Sequence, residues 1–143
     1  MKERGASRDE RETRARFTER YATFAPTDLS TDIERRVIGA DWGANGYTTV
    51  AQADALGGLL DLRPGDLLLD VGTGRGWPGL YLAKATGCRV VGTDMPLVPL
   101  RTALGRAQRE GLADRTAMVA AAGAALPFRA ESFDAIVHTD VLC

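Results

Sequence analysis

The chain is poor in the residues that carry metal and redox chemistry. Its 143 residues hold one histidine, His138, and two cysteines, Cys88 and Cys143. No pair falls at metal-ligand spacing, which argues against a zinc site or any other metal centre. Two cysteines this far apart do not make a disulfide framework and fit a reducing compartment. Aromatic residues make up only 6%, and the formal net charge is −1. A chain this close to neutral projects no global field toward nucleic acid or an anionic membrane. No apolar run approaches the ~20 residues that span a bilayer, and the N-terminus is charged rather than signal-like. Internal repeats and low-complexity segments are also lacking. The length suffices for one domain with a real core. The expectation is a soluble, cytoplasmic protein without nucleic-acid or membrane partners.

What the chain does have is concentrated between Leu67 and Gly79. Leu67-Leu68-Leu69-Asp70-Val71 follows the turn signal Arg63-Pro64-Gly65-Asp66 and reads as a strand buried on both faces, as in a parallel sheet. A glycine cluster comes next, and Leu80 to Ala85 reads as a helix with Pro78 in its first turn. Strand, glycine turn and helix N-terminus together favour an electronegative ligand group. A dinucleotide loop, G-x-G-x-x-G, would put its third glycine at position 77, which is Trp77. The chain runs Gly72-Thr73-Gly74-Arg75-Gly76 instead, two residues after Asp70. An acid there suits a cationic amino group better than a pyrophosphate. An NAD-linked oxidoreductase is therefore the weakest reading.

Asp94 lies 24 residues beyond Asp70, at the end of the next apolar run, Cys88 to Asp94. A carboxylate at that place accepts hydrogen bonds from both hydroxyls of a ribose, whichever cofactor carries it. Gly87 closes the helix before this run. Pro96-Leu97-Val98-Pro99-Leu100 opens another helix, with Leu97, Leu100, Ala103, Leu104 and Ala107 as its apolar positions. Arg101, Arg106, Arg109 and Glu110 read as its solvated face, and Gly111 ends it. Thr116 to Ala121 is the third predicted strand. A fourth runs from Phe133 to His138, with Ala135, Ile136 and Val137 inside the sheet.

The N-terminal part is more polar. Met1 to Arg16 alternates in charge, and its first residues read as frayed. From about Asp9 a helix is predicted, with Phe17, Tyr21 and Phe24 on one face and Pro26 as its end. That stripe reads first as packing against the main body, and otherwise as cover over a substrate pocket. Thr31-Asp32-Ile33-Glu34 has the form of a capping box for a helix through about Ile38, and Thr49-Val50-Ala51-Gln52 for one to about Leu60. Between them, Gly39 to Tyr47 is a glycine-rich loop with Asn45 and two large aromatics.

Asp70-x-Gly72-x-Gly74-x-Gly76 after an apolar strand resembles the first motif of the class I S-adenosylmethionine (SAM) methyltransferases. Leu126-Pro127-Phe128 and Glu131-Ser132-Phe133-Asp134 resemble the run into that family's fourth strand, in the manner of its type 11 members. The resemblance covers Gly46 to Cys143. It implies an α/β, Rossmann-like three-layer core with a mostly parallel sheet and N-terminal helices. Right-handed crossovers give the order 3-2-1-4 for the strands present. It also implies that residues 46–143 form a SAM-binding domain lacking its C-terminal strands, while the patterning of residues 1–45 reads as a separate helical segment. Strand four is then an open edge, and the expectation is either a dimer or higher assembly that covers it or local disorder from about Phe133 onward.

For the site, the resemblance implies that Gly72, Thr73, Gly74 and Gly76 pass under the methionine and ribose of SAM, with Asp70 near the amino group. Tyr47 and Thr48 would face the cofactor, and equally read as an aromatic anchor and a cap. Met95 would lie against the adenine. Ala122 stands where the family commonly has an acid, so Ala122 and Gly123 would serve adenine through backbone and packing. Ligands sit at the carboxyl ends of such strands, which places Thr139 and Asp140 near the methyl group or the acceptor. His138 is a candidate general base or a hydrogen-bonded strand member. The expected function is SAM-dependent methylation of a small molecule, or the cofactor-binding half of such an enzyme. A non-catalytic binding or assembly module is the alternative.

Overall fold

The computed structural model describes residues 8–23, 27–44 and 46–141. Four of the expectations lie outside the described residues: the frayed first residues, the roles of Phe24 and Pro26, Asn45 in the loop, and the end of the chain at Leu142 and Cys143. The elements are α1 (Arg8–Thr23), α2 (Asp28–Val37), α3 (Val50–Leu59), β1 (Leu67–Val71), α4 (Gly79–Thr86), β2 (Arg89–Asp94), α5 (Leu97–Arg109), β3 (Thr116–Ala120) and β4 (Ala135–Val137), with a 3₁₀ turn at Ala113–Arg115.

All three strand pairings are parallel, and the order is β3-β2-β1-β4. This is the α/β arrangement expected from right-handed crossovers. In register, Leu68 stands beside Val90 and Ala135, and Asp70 beside Gly92 and Val137. That face carries the core: Leu68, Val90 and Val137 pack with Ala53 of α3, Leu80, Leu82 and Ala83 of α4, and Ala103 and Ala107 of α5. The alternate positions point to the other face, where Ile136 is 57% exposed. Ile136 therefore does not lie inside the sheet as expected, because the two faces of β4 are not equally covered among the described residues.

β4 is also shorter than the expected Phe133 to His138. At its start, Asp134 pairs with Leu67 through both its N–H (3.0 Å) and its carboxylate (2.7 Å), so its side chain takes the place of a ladder position. At its end the chain turns away through Asp140, which has φ +57°, a conformation aspartate tolerates better than most residues.

The second helix begins earlier than the sequence suggested. Thr27, not Thr31, is the N-cap, and Ser30 closes the box from the third helical position. A serine hydroxyl does there what the capping-box pattern assigns to Glu or Gln. The box at Thr49 and Gln52 forms as expected and opens α3. On α5, Leu100, Ala103 and Ala107 are buried, but Leu97 and Leu104 are 55% and 42% exposed. Arg106 is not on a solvated face. Its Nη1 donates to the carbonyl of Asp41 at 2.9 Å, and its guanidinium lies 5.7 Å from the Trp42 ring centroid. No residue of α1 is buried, so the Phe17–Tyr21 face is not a core stripe.

Candidate functional site

The glycine loop follows β1 at the carboxyl end of the sheet. Two carboxylates set its shape. Asp70 is buried, and its Oδ2 accepts from the Thr73 hydroxyl (2.6 Å) and from Gly79 N–H (2.9 Å) in the first turn of α4. Asp94, at the end of β2, accepts from Gly74 N–H through Oδ2 (2.9 Å) and from Met95 N–H through Oδ1 (2.7 Å). Backbone bonds from Gly72 and Thr73 to the Thr93 carbonyl, 2.8 and 2.9 Å, tie the loop across to β2. Gly76 has φ +100°, and a Cβ there would collide with Leu80. Only glycine lets the chain turn at that point and still enter α4.

Burial raises the pKa of both carboxyls. Asp70 is pushed up to about 7, with the bonds from Thr73 and Gly79 acting in the opposite direction. Asp94 is raised for the same reason, and the Met95 and Gly74 N–H groups oppose the rise.

A cleft of about 370 Å³ opens over this loop. Tyr47, Gly72, Thr73, Gly74, Thr139 and Asp140 from the predicted set line it. Tyr47 is 85% exposed. Asp140 joins the two sides of the opening: its Oδ2 accepts from Tyr47 N–H (3.1 Å), Thr48 N–H (3.2 Å) and the Thr48 hydroxyl (2.9 Å). A Cβ on Gly46 would run into the same carboxylate. The Trp77 indole donates to the Thr48 carbonyl at 3.0 Å, which pins this segment to the glycine loop from its other side.

Several predicted residues sit beside the cleft rather than in its lining. Asp70 lies beneath the loop, and Gly76 ends the loop against Leu80 at the entry to α4. Asp94, Met95, Ala122 and Gly123 gather past the end of β2, where Ala121 N–H bonds the Asp94 carbonyl at 3.0 Å. Gly123 stands over the side chain of Val71. His138 is exposed at the end of β4.

The structure adds lining residues that the sequence did not single out for a ligand: Arg75, Trp77, Gly43 and Arg20. Arg75 sits inside the motif itself, and its charge was the available signal. Phe17 and Tyr21 of α1 also line the cleft, which matches the cover reading of that stripe. The Arg75 guanidinium lies 5.6 Å from the Tyr21 ring centroid. Cys88 is buried, and burial pushes its thiol up, so it is no nucleophile.

A parallel 3-2-1-4 sheet with a carboxylate-braced glycine loop at the carboxyl end of its first strand defines a Rossmann-like methyltransferase core. The model of the methyltransferase domain family matches residues 69–143, and the chain belongs to that family. Sterol methyltransferase-like 1 of Botryococcus braunii is 32% identical over 102 residues, which are 71% of this chain and 26% of that protein. The 27-O-demethylrifamycin SV methyltransferase of Amycolatopsis mediterranei is 35% identical over 88 residues, 62% of this chain and 32% of that protein. The chain thus spans between about a quarter and a third of the length of the curated relatives it matches. A SAM-dependent methyltransferase from Thiobacillus denitrificans, solved with S-adenosylhomocysteine, shares the fold. Its TM-score is 0.60 at 20% identity, over 82% of this chain and 45% of that one.

Proposed function

We propose that this chain binds SAM for methyl transfer to a small molecule. The observation that carries the reading is the loop from Gly72 to Gly76, braced by Asp70 and Asp94 and open to a cleft of about 370 Å³. That volume lies in the ordinary range for small-molecule sites. The donor set fits the cofactor as well. Glycines admit close backbone approach, and Asp94 keeps a lone pair on each oxygen for ribose hydroxyls.

In this reading Gly72, Thr73, Gly74 and Gly76 lie along the methionine and ribose, and Asp70, enclosed beneath them, shapes the loop through Thr73 and Gly79 instead of touching the amino group as expected. Met95, Ala122 and Gly123 flank the adenine. Tyr47, Thr48 and Thr139 close the reacting end. A bound SAM supplies an electrophilic sulfonium methyl group. The chain's own residues orient it and keep water out, which is most of what such a transfer needs. Asp140 belongs here as a positioning residue, since its Oδ2 already serves three donors. His138 is exposed at the strand end and lines neither the cleft over the loop nor its neighbour, so it has no part in this reading.

The names of the relatives, a sterol methyltransferase-like protein and a rifamycin-type methyltransferase, support a small-molecule acceptor. The near-neutral charge supports the same choice over nucleic acid. Among the described residues no helix is long and apolar enough to cross a membrane, and no cluster of His, Cys, Asp or Glu is able to hold a metal ion. A cytoplasmic location is part of this reading. So is self-association at β4, an edge strand among the described residues that also exposes Ile136 on one face. Light scattering of the wild type against Ile136→Lys checks that point, and a monomer at every concentration would end it.

Isothermal titration with S-adenosylhomocysteine and with NAD tests the whole. The expected outcome is saturable binding of S-adenosylhomocysteine and none of NAD. Tighter binding of NAD overturns the proposal.

A further inference from the structure

A second cleft, of about 540 Å³, lies between α1, α2 and α5. One wall is aliphatic. Ile33 and Val37 of α2 are 51% and 55% exposed and line it, facing Val98 at the start of α5. Large aliphatic side chains one helical turn apart, open toward a concavity, form a surface suited to an apolar ligand body.

The charged part of the lining is mostly cationic. Arg20, Arg75, Arg106 and Arg109 line the cleft, with Glu34 and Asp41 as its two carboxylates. Both acids are already engaged in the fold. Glu34 Oε1 accepts from Trp42 N–H (2.7 Å) and Ala44 N–H (3.0 Å). Asp41 stands 3.6 Å from Arg35 and 3.9 Å from Arg106. Arg106 Nε is buried without a hydrogen-bond partner. Burial is the main influence lowering the pKa of Arg75; Tyr21 and Glu34 oppose it, and Arg106 and Arg20 add a smaller repulsion. Arg75 is thus close enough to Arg106 and Arg20 to feel them, Arg109 lines the same cleft, and an anionic group there meets several guanidiniums at once.

Arg75 also lines the cleft over the glycine loop, as do Gly43, Gly46 and Tyr47. The two clefts therefore adjoin along these residues.

We infer that the larger cleft receives the methyl acceptor, and that the acceptor is an amphiphile with an anionic head. Its aliphatic body lies against Ile33, Val37 and Val98, and its head meets Arg75 and Arg109. The inference rests on the cofactor reading of the smaller cleft. A carboxylate and a phosphate monoester share this chemistry, and the test separates them.

The full chain is titrated calorimetrically, first with S-adenosylhomocysteine alone. After saturation it is titrated with decanoate, decyl phosphate, decanol and decyltrimethylammonium. Failure of the first titration counts against the cofactor reading. The amphiphile series is then run without it and still judges the cleft. One of the two anions is expected to bind at least about fivefold tighter than decanol, with the cation weakest. The tighter of the two names the head group. Arg109→Gln should remove the preference for the anion while leaving S-adenosylhomocysteine and decanol unchanged. Ile33→Asp should weaken all the neutral and anionic chains together. Equal affinity for decanoate, decyl phosphate and decanol, or tightest binding of the cation, overturns the inference.

Discussion

Asp70 and Asp94 brace the same loop, but they differ in what they have left to offer. Asp70 is fully enclosed, and its bound oxygen serves Thr73 and Gly79. Its pKa stands at about 7, against 3.8 for an ordinary aspartate. Between those values the native state keeps the proton longer than the unfolded chain does. Stability from this group is therefore full below about pH 4 and falls as pH rises toward 7. The loss is at most about 4 kcal/mol, at about 1.4 kcal/mol per pKa unit. Asp94 is shifted in the same direction. Urea unfolding at pH 5 and pH 8 should show the wild type weaker at the higher pH and Asp70→Asn with a smaller difference. An unchanged difference would mean that Asp70 is not the source. Asp94→Ala should weaken S-adenosylhomocysteine binding by roughly 2–4 kcal/mol, the worth of two charge-assisted hydrogen bonds. An affinity within twofold of wild type would remove Asp94 from the ribose site. The sequence placed Asp94 by its distance from the glycines. It did not reveal that Asp70 is sealed under the loop, because that depends on the first turn of α4 folding back over it.

Among elements, the strand–loop–helix unit from Leu67 to Thr86 was the most legible, because each local signal agrees with the next. A short apolar run gives β1, glycines give the turn, and Gly87 in the left-handed conformation stops α4. The turn is also the most sensitive point. Gly76→Ala must hold a side chain at φ +100° and move Leu80, which is itself fully buried. Strain and overpacking together should cost about 2–4 kcal/mol. A thermal midpoint within a degree of wild type would contradict this. The sequence was less informative where an element's limits depend on a distant partner. The start of α2 moved to Thr27 because Ser30 completes its cap. β4 contracted to three residues because Asp134 turns its side chain onto Leu67. Arg106 belongs to a face whose mixed charges point to solvent, yet a loop 65 residues earlier supplies its acceptor.

At the scale of the whole molecule, the cleft over the glycine loop exists only because two distant segments meet. Tyr47 and Thr48 bond to Asp140 across sequence separations of 93 and 92 residues. No local pattern encodes such a joint, which is why Tyr47 and Asp140 were both named as site residues without being named as a pair. The joint is tight, since Gly46 leaves no room for a Cβ against the Asp140 carboxylate. Asp140→Ala should free the segment from Gly46 to Thr48, seen as faster amide exchange at Tyr47 and Thr48. It should also weaken S-adenosylhomocysteine binding about tenfold, with a stability loss of only about 1–2 kcal/mol because the site is solvent-exposed. Gly46→Ala should do similar damage by the opposite route, pushing the carboxylate away. The two changes are therefore coupled. Once Asp140 has been truncated, the added methyl at position 46 has less to displace, and Gly46→Ala should cost clearly less in that background than in the wild type. Strict additivity in this double-mutant cycle would mean that the two segments do not bear on each other, and that the opening of the cleft is set elsewhere.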